Sequence, residues 1–367
     1  MKKINGYKLV FNKDLKNKIN NDLKKIIDSG NLSNGKYVRR FEEKFKRLHG
    51  SKFAVACNSG GGALEILFKS LDIEGKEVLV PTNTFIATYN AIKFAGGIPK
   101  LIDTAPDSLN ISLETIKKAV TKKTKCITIV HVGAIISDEI IKIAEFCKKK
   151  KISLVEDCAH SVLTKSKGIF AGNFGIAGAF SFFATKSITS GEGGMVTTNN
   201  FNLYKKLKLH VSYGMSKSYN DYDYKLFGAN FRMNELEAVV GYHHLINYGP
   251  YLKEKNKIKK IYDSILKNKI QIFKSKSMGN LYKYICILPK NRNKKDLVSY
   301  FYKNNISLSG DVYNEPLHKF KIIKNINKEK LPNAEKICAR HFCLPIYYGL
   351  KLKDANYVAR KLLEFLN

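Results

Sequence analysis

Apolar and polar positions follow two different patterns along the first two thirds of the chain. Seven short segments are almost continuously apolar, which is typical of strands in a sheet that helices cover on both faces. They are FAVAC (53–57), EVLVP (77–81), PKLID (99–103), CITIVH (126–131), ISLVED (152–157), GAFSFF (178–183) and GGMVTT (193–198). Between them, apolar residues recur at helical spacing in GALEILFKSLDI, TYNAIKFAG, SDEIIKIAEFCKKKK and ELEAVVGYHHLINY. This alternation predicts an α/β fold with a mostly parallel sheet.

The pattern changes after about residue 250. A lysine-rich helical segment over about 251–268 is followed by the strand-like KYICILP, by the helical KKDLVSYFYKNN and by two helical segments on either side of CLPIYYG. The chain has 367 residues, more than one hydrophobic core usually organises. We therefore expect a large domain over residues 1–250 and a smaller α+β domain over residues 251–367.

Composition narrows the protein class. With 44% hydrophobic residues and 8 prolines, the chain has the make-up of an ordinary globular protein. Its seven cysteines contain no CxxC pair, and several lie in apolar strand-like runs, so we expect reduced, buried thiols and neither disulfides nor a metal site. The N-terminal stretch has no apolar core of a signal peptide, and no run approaches the roughly 18 apolar residues of a membrane span. We expect a cytoplasmic protein without a membrane partner.

The formal net charge of +33 raises the possibility of a nucleic-acid partner. Only seven of the 64 basic residues are arginine, the residue that dominates bidentate recognition of phosphates and bases. The lysines are spread along the polar faces of helical patterns. Solvated surface, with some attraction for an anionic substrate, explains the charge better. A basic, non-enzymatic nucleic-acid-binding regulator stays open as an alternative from another class.

Three stretches at predicted strand ends carry candidate chemistry. The glycine-rich NSGGGALEILF (58–68) follows a strand and opens a helix, where free N–H groups favour a phosphate. LVEDCAH (154–160) ends a strand with Asp157 at the sheet edge. FSFFATKSITSGEGGM (180–195) carries Ser181 in a strand and Lys186 just beyond it. Each stretch taken alone is equally typical of a turn, a helix cap or a surface lysine.

Together the three stretches suit pyridoxal phosphate. A lysine binds its aldehyde as a Schiff base, a carboxylate pairs with its pyridinium nitrogen, and a helix N-terminus holds its phosphate. Phe85, in TNTFIATYNA after another predicted strand, is placed to stack on the pyridine ring, although a phenylalanine there is more often part of the core.

The order of these motifs resembles the sugar aminotransferases of the DegT/DnrJ/StrS family, which are fold-type-I pyridoxal phosphate enzymes of the aspartate aminotransferase superfamily. The matching segments are SGNLSNGKYVRRFEEKF, AVACNSGGGAL, VLVPTNTFIATYNAI, VEDCAH, AGNFGIAGAFSFFATKSITSGEGGMVTT, GANFRMNELEAVVG, YNEPLHKF and CLPIYYGLK. They cover nearly the whole chain. The resemblance implies a fold-type-I transferase with a large domain, built on a mostly parallel mixed sheet covered by helices, and a smaller C-terminal α+β domain.

The resemblance also implies roles for individual residues. Lys186 matches the Schiff-base lysine of the family. The expected cofactor-binding residues are Gly60, Gly61 and Ser181 for the phosphate, Phe85 for ring stacking, Asp157 for the ring nitrogen, His160 for the ring hydroxyl, and Asn230 for the phosphate of a neighbouring subunit. The role of Asn230 implies a homodimer with shared sites. Tyr313 and His318 match the substrate loop, although a structural role is about as well supported for each.

Several positions depart from the family pattern. The phosphate loop has Gly61 and Gly62 where the family usually has Thr and Ala, and His160 stands where a glutamine is usual. HVGAIIS (131–137) and the ATK before Ser187 also differ from the commoner forms. The lysine and the acid are intact, so these departures bear on substrate specificity.

The implied reaction moves an amino group from an amino acid, L-glutamate by expectation, to a nucleotide-linked keto sugar for amino-sugar and surface-glycan biosynthesis. A non-nucleotide ketone such as a cyclitol is the alternative acceptor. One branch of the family dehydrates sugars and has histidine in place of the lysine, so Lys186 argues against that branch. Residues 187–190 either contact substrate or only shape the turn.

Overall fold

The computed structural model describes residues 3–216, 223–273, 276–325 and 329–367. Within these residues, a central sheet contains seven strands in the order β1-β9-β8-β5-β4-β2-β3. The strands are β1 Phe53–Cys57, β2 Glu77–Pro81, β3 Ile98–Ile102, β4 Thr124–Val130, β5 Ser153–Asp157, β8 Ala177–Ser181 and β9 Gly194–Thr198. Only β9 among them runs antiparallel to its neighbours. The predicted mostly parallel α/β sheet is confirmed.

Helices cover both faces of the sheet. Successive strand residues point to opposite faces, so Val78 and Val80 pack in one hydrophobic cluster and Leu79 in the other. The cluster with Leu79 is formed with helices α1 Lys13–Ser29, α2 Lys36–His49, α5 Leu113–Ala119, α6 Ile140–Lys150 and α8 Glu235–Ile246. The opposite cluster is formed with α3 Gly60–Ser70, α4 Ile86–Phe94 and α7 Phe201–His210. The strands are buried on both faces, which explains their continuously apolar sequences.

The two N-terminal helices are not predicted from the apolar pattern. Of the 17 residues of α1, the buried ones are Leu15, Ile19 and Ile26, and lysines and asparagines dominate the rest. Leu15, Ile19, Leu23 and Ile26 nevertheless recur at helical spacing, so the periodic signal for α1 is present in the sequence. The ends of the helix are also marked, since Asn12 accepts a hydrogen bond from the Leu15 N–H and Gly30 ends the helix with a left-handed backbone.

The C-terminal part is built on a second, antiparallel sheet of three strands: β10 Gln271–Ile272, β11 Tyr284–Ile287 and β12 His341–Leu344. Its helices are α9 Tyr248–Leu266, α10 Lys294–Lys303, α11 Lys321–Lys324, α12 Pro332–Arg340 and α13 Leu352–Leu366. Ile4 pairs with Ile306 and packs in the hydrophobic cluster of this sheet, so the start of the chain contributes to the C-terminal core. The domain boundary at residue 250 stays a prediction.

Two features complete the fold. A short hairpin consists of β6 Lys165–Ser166 and β7 Ile169–Phe170. None of the helices in the described residues combines the length and the apolar character needed to cross a lipid bilayer.

Strand direction places the candidate residues at one edge. Strands β1, β5 and β8 run in the same direction, and their carboxyl ends are Cys57, Asp157 and Ser181. Ligands of open α/β sheets bind beyond this edge. The loop before α3, Asp157 and the loop carrying Lys186 therefore meet there.

Candidate active site

A cavity of about 420 Å³ lies at this edge of the sheet. Eight residues predicted from the sequence line it, namely Gly60, Gly61, Phe85, Asp157, His160, Ser181, Lys186 and Tyr313. Asn230 and His318 are not among the residues that line it. These eight residues come from distant parts of the chain, so their convergence is a property of the fold.

The first turn of α3 supplies free donors to the cavity. Ser59 precedes the helix, and its hydroxyl accepts the N–H of Gly62 at 2.9 Å. The N–H groups of Gly60 and Gly61 have no acceptor among the described residues. A Cβ on Gly60 would lie 2.6 Å from the Cβ of Ser181, so only glycine allows the helix to approach Ser181 this closely. Two free N–H groups beside a hydroxyl at a helix N-terminus suit a phosphate group.

The two carboxylates that end β5 have different partners. Glu156 is fully buried and hydrogen bonded within the fold. Its oxygens have four partners: His131 Nε2 at 2.9 Å and the N–H groups of Gly172, Phe174 and Gly175 at 2.7 to 2.8 Å. Glu156, His131 and Cys158 could hold a metal ion by proximity, but these hydrogen bonds already occupy both Glu156 oxygens.

Asp157 faces the cavity. Its Oδ2 accepts a hydrogen bond of 2.8 Å from the Thr88 hydroxyl, and its Oδ1 accepts the Ala159 N–H at 3.0 Å. Burial raises the pKa of the Asp157 carboxyl, while these two donors and the charge of Lys186 oppose the rise. A positively charged ring nitrogen placed beside Asp157 would stabilise its ionised form further.

Lys186 lies in the turn after β8, where its N–H donates to the Phe183 carbonyl at 2.9 Å. Burial lowers the pKa of the Lys186 amine to about 8, with Lys283 adding to this effect and Asp157 opposing it. A lysine with such a pKa is partly neutral near physiological pH and is therefore a competent nucleophile. Its Nζ lies 5.3 Å from the centroid of the Tyr282 ring.

The hydrogen bonds of His160 define its protonation. Its Nδ1 accepts the N–H of Gly133 at 3.3 Å, and burial lowers the pKa of the imidazole well below its ordinary value. The ring is therefore neutral and carries its hydrogen on Nε2, which makes it a hydrogen-bond donor like the side chain of glutamine. Gly133 has a left-handed backbone, with φ of 65°.

Among the lining residues that the sequence analysis does not single out, Thr88 and Tyr282 contact predicted site residues directly. Thr88 lies one helical turn after Phe85, a spacing that could have indicated it. Tyr282 stacks on His160 with ring centroids 4.3 Å apart, and Tyr313 stacks on the same imidazole at 5.7 Å. Tyr282 precedes β11 in the C-terminal part, and no sequence motif marks it.

The polar side chains after Lys186 are hydrogen bonded within the chain. Ser187 donates to Asn280 Oδ1 at 2.6 Å, and the Thr189 hydroxyl donates to the Phe182 carbonyl at 3.0 Å. The Ser190 hydroxyl donates to the Glu192 carbonyl. Of the two roles left open for residues 187–190, these bonds favour shaping the turn.

The remaining two predicted residues lie elsewhere. His318 is buried, with Nδ1 2.8 Å from the Thr82 hydroxyl and Nε2 3.0 Å from Glu335 Oε1. Both ring nitrogens thus have protein partners, which favours a structural role, and substrate contact by His318 stays a prediction.

Asn230 is exposed, and its side-chain oxygen accepts the N–H of Arg232 at 3.2 Å. Its predicted contact with a neighbouring subunit lies outside a single chain.

Comparison with known proteins identifies the family. The family model described as the DegT/DnrJ/EryC1/StrS aminotransferase family matches residues 13–363. The chain belongs to this family. It is therefore an aminotransferase, as the motif order predicts.

Relatives in this aminotransferase family align over nearly their full length. The chain is 30% identical to a GDP-perosamine synthase of Escherichia coli O157:H7 over 359 residues, covering 97% of this chain and 98% of that protein. It is 28% identical to a UDP-4-amino-4,6-dideoxy-N-acetyl-beta-L-altrosamine transaminase of Helicobacter pylori over 351 residues, covering 92% of each. Among solved structures, Helicobacter pylori PseC, an aminotransferase involved in the biosynthesis of pseudoaminic acid, has a TM-score of 0.90 and 25% identity, covering 100% of this chain and 99% of that one. The fold-type-I prediction is confirmed.

Proposed function

We propose that this aminotransferase uses pyridoxal 5'-phosphate and transfers an amino group from an amino acid, L-glutamate, to a nucleotide-linked keto sugar. The observation that carries the proposal is the convergence in one cavity of Lys186, Asp157 and the free N–H groups of Gly60 and Gly61. This set offers an amine, an anion and an anion-binding helix end, which correspond to the aldehyde, the ring nitrogen and the phosphate of the cofactor.

Each part of the cofactor has a candidate partner. These are Lys186 for the aldehyde carbon, Asp157 for the ring nitrogen, His160 for the ring hydroxyl, Phe85 for the ring face, and Gly60, Gly61 and Ser181 for the phosphate. When bound, pyridoxal phosphate withdraws electrons from the α-carbon of the amino donor.

Side chains of the protein supply the proton transfer and the orientation of the ring. The Lys186 amine, with its pKa lowered to about 8, can take up and return a proton near neutral pH, which suits a general acid and base. Asp157 would keep the ring nitrogen protonated by pairing with its positive charge. His160 donates from Nε2 and stays neutral, so it orients the ring without competing for the proton.

The activities for which relatives are named support a nucleotide-linked acceptor. One relative is named for a GDP-linked product and another for a UDP-linked amino sugar. The basic surface of the chain, with a formal net charge of +33, would attract either diphosphate.

A half-reaction test addresses the proposal. The cofactor-loaded protein should show the visible absorption band of lysine-bound cofactor, lose it with L-glutamate, and recover it with one member of a panel of GDP- and UDP-linked keto sugars. Lys186→Ala should lack the band and lose amino transfer by at least about 100-fold. Lys167→Ala, at an exposed lysine between β6 and β7, is the matched control and should behave as wild type. Amino transfer that survives in Lys186→Ala would refute the proposal.

We also propose a homodimer in which Asn230 serves the cavity of the neighbouring subunit. Aromatic side chains near Asn230 along the chain are exposed: Tyr213 at 45%, Tyr224 at 63% and Phe227 at 101%. Aromatic residues are enriched at protein interfaces. Mixing inactive Lys186→Ala with inactive Asn230→Ala should restore activity, because a hybrid dimer contains one intact site. Failure of the mixture to recover activity, with hybrid dimers present, would contradict the shared site.

Cytoplasmic localisation is part of the same proposal. All seven cysteines are free and buried, which suits a reducing compartment. Fractionation of cells that express the protein at native levels would test this.

A further inference from the structure

A second cavity, of about 240 Å³, lies next to the candidate active site. It shares Thr185, Lys186 and Tyr282 with the first cavity. Apart from Ser187, the rest of its lining comes from the N-terminal segment 7–10, from helices α8 and α9, and from loops beside β11 and β12. We call it the Lys255 pocket.

Lys255 is a buried amine for which the described residues supply no partner. Its side chain projects from α9 into the pocket and is 8% exposed. Among the described residues, its Nζ has no hydrogen bond or ion pair. Burial, and then the charge of Lys283, lowers the pKa of Lys255 to about 7. Burying an ammonium group without a counter-charge costs folding free energy, so we expect this group to have a function.

His244 provides a second unsatisfied donor in the same lining. Its Nδ1 accepts the Thr189 N–H at 3.1 Å, so the neutral ring carries its hydrogen on Nε2. That Nε2 is buried and has no hydrogen-bond partner within the described residues. Buried polar groups are usually paired, so the wall of the pocket contains an unsatisfied donor in addition to Lys255.

The pocket carries excess positive charge. Lys8, Lys186, Lys255 and Lys283 all line it, and its described lining includes no aspartate or glutamate. Lys283 is fixed at the pocket wall, since its Nζ donates to the Ser309 carbonyl at 2.5 Å and to the Ser309 hydroxyl at 2.8 Å. An anion would satisfy Lys255 and offset the repulsion among the lysines.

We propose that the Lys255 pocket binds a small carboxylate anion beside Lys186, with Lys255 as its principal charge partner. The volume is below the 300 Å³ or so of typical drug-sized sites and suits a small organic acid. The shared wall with the active site suggests the amino-acid donor, or the keto acid it becomes, as the source. That choice of source rests on the proposed function, whereas anion binding by Lys255 does not.

Calorimetric titration of the cofactor-loaded protein with glutarate tests the site directly. Glutarate has the two carboxylates of glutamate but no amino or keto group, so it binds without reacting. Wild type should bind glutarate, and Lys255→Met should weaken the binding by about tenfold or more. Lys257→Met, at an exposed lysine on the same helix, should leave it unchanged. Equal glutarate affinity in wild type and Lys255→Met, or no binding to wild type, would overturn the proposal.

Thermal unfolding separates a ligand role from a structural one. Lys255→Met removes an unpaired buried charge, so its midpoint without ligand should equal or exceed that of wild type. Glutarate should raise the midpoint of wild type but not that of Lys255→Met. A lower midpoint for ligand-free Lys255→Met, with an unchanged glutarate response, would indicate a structural lysine and refute the proposal.

Two further measurements identify the anion that the pocket binds and distinguish the anion site from the proposed function. Binding of inorganic phosphate that depends on Lys255, without binding of glutarate, would refute the carboxylate assignment. A raised KM for L-glutamate in Lys255→Met at unchanged kcat would support the donor as source, and an unchanged KM would refute it. If glutarate binding depends on Lys255 but no amino transfer occurs in wild type, the proposed function fails and the anion site stands.

Discussion

The hydroxyl of Thr88 donates a hydrogen bond of 2.8 Å to Oδ2 of Asp157. It links helix α4 to the end of strand β5 and joins residues 69 positions apart in the sequence. The Thr84 hydroxyl lies 2.9 Å from the Thr88 hydroxyl, so Thr84 can donate in turn to Thr88. Asp157 is thereby oriented by a buried side chain that also lines the cavity.

Thr88→Val should reduce cofactor affinity by about tenfold, the equivalent of one hydrogen bond to a charged group, because Asp157 loses a donor while the size of the side chain is kept. The Thr88 hydroxyl lowers the pKa of Asp157, so its removal raises that pKa further. Cofactor affinity should then be lost at a higher pH as the solution is acidified. Fluorescence titration with pyridoxal phosphate across pH measures both effects. Thr88→Ser restores the hydroxyl and should restore the affinity; wild-type affinity in Thr88→Val would contradict the role.

The amine of Lys186 should become reactive with a midpoint near pH 8, because burial lowers its pKa to about 8 and the neutral amine is the nucleophile. Reductive methylation of the cofactor-free protein, followed at Lys186 by mass spectrometry, measures this profile. Asp157 raises the pKa of Lys186, so Asp157→Asn should move the midpoint to lower pH. A midpoint near the ordinary lysine value of 10.5, or a shift upward in Asp157→Asn, would contradict the electrostatic account.

Adjacent glycines at the start of α3 should tolerate alanine differently. A Cβ on Gly60 would lie 2.6 Å from the Ser181 Cβ, so Gly60→Ala must displace the helix or the strand, and cofactor affinity should fall by about tenfold or more. A Cβ on Gly61 would have its nearest neighbours at 3.9 Å. Gly61→Ala keeps the free N–H and should bind cofactor within about threefold of wild type, with equal or higher stability because alanine favours helix. Equal cofactor affinities in the two variants would contradict the predicted contact.

Gly133 and Gly168 form a matched pair for stability. Both have left-handed backbones, with φ of 65° and 81°, so alanine at either should cost about 1 kcal/mol. A Cβ on Gly133 would also lie 2.4 Å from Cδ1 of Ile285, which is buried, whereas one on Gly168 would meet nothing within 4 Å. Gly133→Ala should therefore lose about 1 to 3 kcal/mol more than Gly168→Ala in urea unfolding. A loss equal to that of Gly168→Ala would show that Ile285 moves aside freely.

Much of the fold follows from local sequence pattern. The seven sheet strands are continuously apolar because both faces are covered, and their observed bounds differ from the predicted ones by at most two residues. Helices with a broad apolar face, such as α3 and α8, are likewise predicted from the spacing of their apolar residues. Helix α1 is left out of the predicted elements although its apolar residues recur at helical spacing, whereas the burial of Ile4 in the C-terminal core depends on a contact with Ile306 that is about 300 positions away.

The sequence by itself determined which residues end the strands of the sheet, and hence that Ser181, Lys186, Asp157 and the glycine loop share one edge. Strand direction is enough for this, since residues at the carboxyl ends of parallel strands are brought together whatever the details of packing. Only the tertiary structure decided the partners: Thr88 for Asp157, Tyr282 for His160, and no counter-charge for Lys255 among the described residues. These depend on side chains that meet across elements distant in the chain, where burial and the presence or absence of a counter-charge set the chemistry, and no local pattern encodes such meetings.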